Sequence, residues 1–397
     1  MGDDMLSPDA ATTVRTTLPA IGDAIEDISA RFYDGMFADH PELLRELFNR
    51  GNQANGRQRS ALAGSIAAFA TALVRHPEER PDAMLARIAH KHVSVGVTTE
   101  QYEVVHKYLF AAIADVLGDA VTPDVVRAWD EVYWLMANAL IALEAGLRRD
   151  SATGWLRATV VGRRRETADA ASFTLRPEVP LTFKPGQYIS VAVALPDGAR
   201  QIRQYSLSSA PERDDCRITV KRVGGGETPD GEVSNWLHAN VGPGDVLTVS
   251  PPFGDVTLPG GDTPLLLASA GIGATPILSM VEHLAATGSA RQVTVVHADR
   301  SPADHAHREE LIRLVDGLPG ATLHRWYEEA VHCACRPAPN AGYVDLAEIE
   351  LPDRLTAYLC GPLPYMRSVR SQLLARGVPA SAVHYEVFGP DLWLGQD

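Results

Sequence analysis

The hydrophobic pattern of the chain changes period near residue 150. Before that point apolar residues recur at helical spacing and Gly and Pro are sparse. Leu18, Ile21, Ile25, Ile28, Phe32 and Met36 trace one stripe, Gln58, Leu62, Ile66, Phe69 and Leu73 a second, and Leu85, Ile88 and His92 a third. Thr122 is placed to cap a long helix with Pro123 in its first turn; its stripe is Val125, Trp129, Val132, Met136, Leu140 and Glu144. The pattern predicts an all-α domain with helices long enough to enclose a ligand.

After residue 150 short β-branched runs alternate with Gly/Pro turns. Leu156–Val161, Ser172–Leu175, Tyr188–Ala194, Arg203–Leu207, Arg217–Arg222 and Val246–Val249 read as strands without long helices between them, which predicts an antiparallel β-barrel. From Pro264 strands and helices alternate: Leu265–Ala268, Gln292–His297, Thr322–Tyr327 and Thr356–Leu359 are the strands of an α/β parallel-sheet domain. The expected boundaries are 1–150, 151–261 and 262–397. No internal repeat is visible.

Composition adds limits rather than direction. A chain of 397 residues is long enough for several cores. Its longest apolar runs, such as Pro264–Ala270, are strand-sized and too short to cross a bilayer, and Met1–Ala10 lacks the basic start and apolar middle of a secretory signal. A net charge of −14 argues against nucleic acid or an anionic membrane as the main partner. Cys216, Cys333, Cys335 and Cys360 form no disulfide framework, so a cytoplasmic, reducing location is expected. The cluster His332-Cys333-Ala334-Cys335 reads as a loop, since a zinc site wants a fourth ligand and usually two residues between cysteines.

Two side chains stand out on the helical stripes. His92 continues the apolar face of Leu85 and Ile88, and Glu144 lies one turn beyond Leu140. An unpaired buried carboxylate is costly, so Glu144 either accepts from His92 or is exposed at a fraying helix end. A histidine that ligates haem iron needs such an acceptor to fix its tautomer. By spacing alone the two readings are even. Among rival histidines, His90 points about 200° away from His92 at 100° per residue, toward Arg87. His76 lies beside Pro77 in a turn, and His106 has no comparable acceptor in the sequence.

In the second part, Arg203-Gln204-Tyr205-Ser206 ends a strand with a cation for a pyrophosphate, a ring for stacking and a hydroxyl for a ring nitrogen. Gly231-Glu232-Val233-Ser234 is a glycine turn with a Ser cap opening a short helix, suited to phosphate. In the third, Gly271-Ile272-Gly273-Ala274-Thr275-Pro276 is a strand–glycine turn–helix with Thr275 as cap and Pro276 in the first helical position. Asp299 suits a ribose hydroxyl and Arg300 a 2′-phosphate, so the sequence does not choose between NADH and NADPH. Cys360 by itself reads as a buried structural thiol.

The runs Arg31–Phe37, Leu47–Gln53 and Ala89–His92 resemble the globin domain of the bacterial and yeast flavohaemoglobins. Pro185–Tyr188, Arg203–Ser206, Gly231–Leu237, Ala268–Pro276, Leu359–Pro362 and Tyr385–Pro390 resemble the ferredoxin–NADP reductase-like module of the same family, in the family's order from Leu18 to Pro390. The resemblance implies a globin fold fused to an FAD- and NAD(P)-binding reductase. It makes His92 the ligand of a haem b iron, backed by Tyr102 and Glu144. Tyr33 would donate to bound dioxygen, Phe48 would pack on the haem face, and Gln58 and Leu62 would line the distal pocket. It assigns FAD to Tyr188, Arg203, Gln204, Tyr205, Ser206, Gly231, Val233, Ser234 and Phe388. NAD(P)H falls to Gly271, Gly273, Ala274, Thr275, Pro276, Cys360, Gly361 and Pro362, with Cys360 near the nicotinamide. Ala274 departs from the Gln often found there and removes a polar contact. Glu386 would reach Lys91 at the domain junction. The implied activity is NAD(P)H-dependent nitric oxide dioxygenation. A haem-based gas sensor or carrier, and a flavin reductase for another acceptor such as hydroperoxides, are the alternatives. The expected partners are small molecules, with no nucleic acid, no stable membrane association and a monomeric state.

Overall fold

The computed structural model describes residues 5–54, 56–151, 154–224, 229–329 and 338–389, without the side chains of 54, 57–61, 63 and 150. Helices α1 (Pro8–Asp23), α2 (Ile25–Asp39), α3 (Pro41–Glu46), α4 (Arg50–Ala54), α5 (Arg57–Arg75), α6 (Asp82–Val95), α7 (Glu100–Leu117) and α8 (Pro123–Ser151) form the first part. The single stripe read from Leu18 to Met36 is divided between α1 and α2 at Ala24. Both helices turn it inward: Val14, Ile28, Phe32 and Met36 are buried with Phe69, Leu85 and Trp129. Thr122 Oγ1 accepts from Val125 N at 3.4 Å and so caps α8 as its sequence predicts. The other end of α6 closes on Gly96, whose φ of +90° lets its N–H return to the His92 carbonyl. That leaves His92 in the last turn of α6, facing inward.

The second part comprises β1 (Leu156–Arg165), β2 (Ala170–Pro177), β3 (Tyr188–Ala194), β4 (Arg200–Ser206), β5 (Cys216–Lys221), α9 (Glu232–Asn240) and β6 (Val246–Val249). Its antiparallel sheet has the order β4-β3-β6-β1-β2-β5. The end strands β4 and β5 meet through a bridge at Leu207 and Ile218, reinforced by Ser208 N donating to Arg217 O at 2.7 Å. The sheet thus curls around Phe173, Ile189, Val191, Ile218 and Leu237.

The third part comprises β7 (Leu265–Ala270), α10 (Ala274–Ala286), β8 (Val293–Asp299), α11 (Arg308–Asp316), β9 (Ala321–Tyr327), β10 (Asn340–Ala341), β11 (Thr356–Cys360), α12 (Leu363–Ala375) and β12 (Val383–Glu386). The sheet is parallel, in the order β10-β9-β8-β7-β11-β12. Strands β10, of two residues, and β12 were not among the strands expected from the sequence. The order reverses between β7 and β11, so the loops after these strands flank the crevice where such sheets take ligands. No helix among the described residues is long and apolar enough to cross a membrane.

Candidate functional site

One cavity of about 1120 Å³ runs from the helical part into the antiparallel sheet. Phe32, Tyr33, Met36, Phe48, Leu62, Ile66, Ile88, His92, Tyr102, Met136 and Leu140 line its helical end, and Tyr188, Arg203, Gln204, Tyr205, Ser206, Gly231, Val233, Ser234 and Phe388 its sheet end. Residues read from separate motifs therefore share one space. The Gln58 side chain lies outside the described residues, as does the His332–Cys335 cluster.

The helical end is built around His92. Its Nδ1 lies 2.9 Å from Glu144 Oε1 and 2.9 Å from the Tyr102 hydroxyl. Glu144, 0% exposed, also accepts from the Tyr102 hydroxyl at 2.5 Å and from Arg148 Nη2 at 3.2 Å. A carboxylate only accepts, so His92 Nδ1 carries the proton and Nε2 keeps its lone pair. Nε2 makes no hydrogen bond among the described residues. Burial, then the Glu144 charge, pushes the Tyr102 hydroxyl far above its ordinary range, which keeps it a donor. The choice left open by spacing is settled in favour of a paired Glu144. Arg148 was not visible as a site residue; a cation four residues after a buried acid on one helix is its only signal. Tyr33, buried, packs edge-on to Phe48 at 5.8 Å and beside Phe37 at 5.5 Å. His106 does have an acceptor, Asp130 Oδ1 at 2.7 Å, correcting the sequence reading; both side chains are partly exposed and away from the cavity wall.

The other side of α6 meets the sheet-bearing parts. His90 Nδ1 accepts from Gly254 N at 3.1 Å, and burial lowers its pKa, in keeping with a neutral acceptor. Arg87 pairs with Asp255 at 3.4 Å and stacks 4.3 Å over the Tyr385 ring. Lys91 Nζ donates to the Gly389 carbonyl at 2.9 Å, in the closing segment that also carries Glu386. Glu386 is buried and Lys91 is half-buried. One helix thus carries His92 inward and the junction outward.

At the sheet end Arg203 is a desolvated guanidinium, its pKa lowered by burial. It donates to Gln201 Oε1 at 3.2 Å and Ile202 O at 2.7 Å and has no carboxylate within ion-pair distance among the described residues. A largely desolvated cation that faces a cavity and lacks an ion-pair partner suits an anion there. Tyr205 is held neutral by burial and the buried Tyr188 hydroxyl is without a hydrogen-bond partner among the described residues. Helix α9 opens at Glu232 with Gly231 as its N-cap, so Ser234 sits inside the first turn and is not the expected cap. Its hydroxyl instead donates to Gly231 O at 3.0 Å and accepts from Val223 N at 3.1 Å. Phe388 is 47% exposed at the cavity wall, with an open face for a flat ring.

In the parallel-sheet part a tight turn over Gly271–Gly273 runs straight into α10. Thr275 and Pro276 consequently lie within the first turn, and Gly273 rather than Thr275 is the N-cap; Thr275 Oγ1 donates to Ile272 O at 3.0 Å. Gly273 sits against β11: a Cβ there would be 2.3 Å from Cys360 O and 2.7 Å from Gly361 N. This joins the glycine loop to Cys360-Gly361-Pro362 across the sheet's switch point. Of the loop, Ile272 and Thr275 reach the cavity wall; Gly271, Gly273, Ala274, Pro276 and Cys360 do not. Burial pushes the Cys360 thiol well up, so it stays protonated. Arg300 is committed to Asp304 at 2.6 Å, and Asp299 Oδ1 accepts from Arg300 N at 2.9 Å.

Family models agree with this division: residues 30–140 match the globin family, 157–258 an oxidoreductase FAD-binding domain and 267–371 an oxidoreductase NAD-binding domain. The flavohemoprotein of Bordetella pertussis is 41% identical, covering 97% of this chain and 99% of that protein. The chain belongs to the flavohaemoprotein family. It is an oxidoreductase with the family's globin, FAD-domain and NAD-domain order. The flavohaemoglobin of Malassezia yamatoensis, solved with FAD and haem, superposes with a TM-score of 0.88 at 36% identity, covering 97% of this chain and 100% of that one. The flavohaemoprotein-like FAD/NAD-binding domain of a Vibrio cholerae nitric oxide dioxygenase is 37% identical with a TM-score of 0.56, covering 60% of this chain and all of that structure.

Proposed function

We propose that this flavohaemoprotein is an NAD(P)H-dependent nitric oxide dioxygenase, organised as 1–150 for haem b, 151–261 for FAD and 262–397 for NAD(P)H. The observation that carries the reading is the single cavity shared by His92 and Arg203. When bound, FAD accepts a hydride and releases electrons singly, and haem iron activates dioxygen for conversion of nitric oxide to nitrate.

The residues fit these groups. His92 offers Nε2 as an iron ligand because Glu144 and Tyr102 hold Nδ1. The Glu144 charge makes the imidazole a stronger electron donor. Phe48, Leu62 and Met36 supply apolar walls that exclude water, and Tyr33 supplies a hydroxyl for negative charge developing on a substrate oxygen. Arg203 and the N–H groups at the start of α9 would hold a pyrophosphate, Tyr205 and Phe388 would offer their rings to a flat ring system, and Ser206 would give it a hydrogen-bonding hydroxyl. The Gly271–Pro276 loop and Cys360–Pro362 hold the nucleotide at the crevice between β7 and β11.

The decisive experiment measures nitric oxide consumption by the purified protein with NADH under air, with nitrate as the product. A Soret band and flavin absorption are expected, and NADH should convert the haem rapidly to its oxy form. Loss of the Soret band in His92→Ala is the expected companion result. A His92→Ala protein with an unchanged spectrum and full turnover would remove the ligand assignment. Absence of nitrate formation by the parent would remove the activity.

A further inference from the structure

Gln201 lies on β4 two residues before Arg203, with 1% of its surface exposed. Its Nε2 is 3.2 Å from the carbonyl oxygens of Leu44 and Arg45 and 3.3 Å from that of Phe48. Its Oε1 accepts from Arg203 Nη1 at 3.2 Å and from Arg50 N at 3.5 Å. An amide offers donors at one end and acceptors at the other. Here the donor end grips the α3–α4 corner of the globin part and the acceptor end fixes the guanidinium of Arg203.

Arg50, at the start of α4, reaches the same region by a second route. Its Nε and Nη2 meet the two oxygens of Glu232 at 3.2 and 2.7 Å, and its Nη1 meets Asp197 Oδ2 at 2.5 Å. Glu232 opens α9 between Gly231 and Val233, all on the cavity wall. A carboxylate in a helix's first turn suits the helix dipole but repels an anion approaching that end. The bidentate Arg50 pair cancels that repulsion and holds the carboxylate to one side.

We propose that the globin segment Leu44–Arg50 completes the flavin-phosphate cradle from the neighbouring domain, with Gln201 and Arg50 as positioning residues for FAD. Gln201 aims Arg203 at the pyrophosphate, and Arg50 neutralises Glu232 beside it. This rests on the assignment of FAD to Arg203 and α9 above. One consequence is that flavin affinity depends on the docking of the globin part.

The test uses the full-length holoprotein and measures FAD dissociation by recovery of flavin fluorescence, with haem content and the Soret band as the control for globin folding. Arg50→Gln is expected to weaken FAD binding on the order of tenfold, the scale of a lost charge-assisted contact. Adding Glu232→Gln to Arg50→Gln is expected to recover most of that loss, which a purely structural role for Arg50 would not produce. Gln201→Ala with an intact Soret band is expected to release FAD faster than the parent. Parent-like affinity in Arg50→Gln, or no recovery in the double variant, overturns the proposal. A parent protein that holds haem but no FAD overturns the flavin assignment itself and the proposal with it.

Discussion

Glu144 is sealed from solvent, and its Oε1 lies 2.9 Å from Nδ1 of His92 across fifty-two positions of sequence. Such an acceptor sets which imidazole nitrogen faces the haem pocket and how strongly it donates. Glu144→Gln keeps the shape and removes the charge, so turnover is expected to fall by about 10- to 100-fold while haem is retained. The check is NADH-dependent nitric oxide consumption normalised to the Soret band. Tyr102→Phe leaves the His92–Glu144 bond in place and is expected to cost less. Unchanged turnover in Glu144→Gln would take the carboxylate charge out of the mechanism.

Gly273 has no room for a side chain, because backbone atoms of Cys360 and Gly361 occupy the place of its Cβ. Gly273→Ala must push the Gly271–Pro276 loop away from β11. A misplacement of this kind costs on the order of 10²-fold in a positioned reaction. The expected result is slow bleaching of the flavin by NADH in a rapid-mixing experiment, with carbon monoxide binding to chemically reduced haem unaffected. A normal bleaching rate would show that the loop does not position the nucleotide.

The two reductase lobes share a buried ion pair. Arg217 Nη1 on β5 is 3.0 Å from both carboxylate oxygens of Glu310 on α11, and Arg217 Nη2 donates to Ser208 O at 2.5 Å. Glu310→Ala leaves that guanidinium without its counter-charge, a loss of about 3 kcal/mol for a buried pair broken on one side. Flavin release on heating is the readout, and its midpoint should drop by several degrees. A midpoint within error of the parent would mean that the lobes are held together elsewhere.

Acid should loosen the molecule before alkali does. His305 is held well below the ordinary value of 6.5, first by burial and then by His297, with Arg308, Arg325 and His307 acting the same way. Burial also lowers His90, partly opposed by Asp255. A folded state that refuses protons taken by the unfolded chain is fully stabilised above about pH 6.5 and loses that advantage as pH falls. Glu310 is raised by desolvation, but its hydrogen bond to His307 and the charge of Arg217 prevail and hold it at about 2, so its contribution is lost from about pH 4.5 downward. Thermal midpoints measured from pH 8 to 5 should therefore decline on the acid side, first through the histidines. A flat profile over that range would contradict the burial of His90 and His305.

How much could be read in advance follows from where each signal lies along the chain. The FAD-side residues come in contiguous motifs, and every one named from the sequence lines the cavity. His92 and Glu144 were detectable as polar interruptions of apolar stripes, although spacing left their pairing open and only the resemblance favoured it. Ser234 and Thr275 were misplaced as caps because preceding residues already take helical geometry. The roles of Gln201 and Arg50 were not read: one is a polar residue next to the expected strand, the other a charge within the Leu47–Gln53 run. Their partners across the domain junction lie some 150 or more positions away in sequence, beyond the reach of any local pattern.

The shared cavity has a kinetic consequence. A carrier that must find its reductase by diffusion works at a rate set by the concentration of both proteins. Here donor and acceptor chambers open into each other within one chain, so the encounter is replaced by a fixed effective concentration. Turnover per molecule should then survive dilution unchanged.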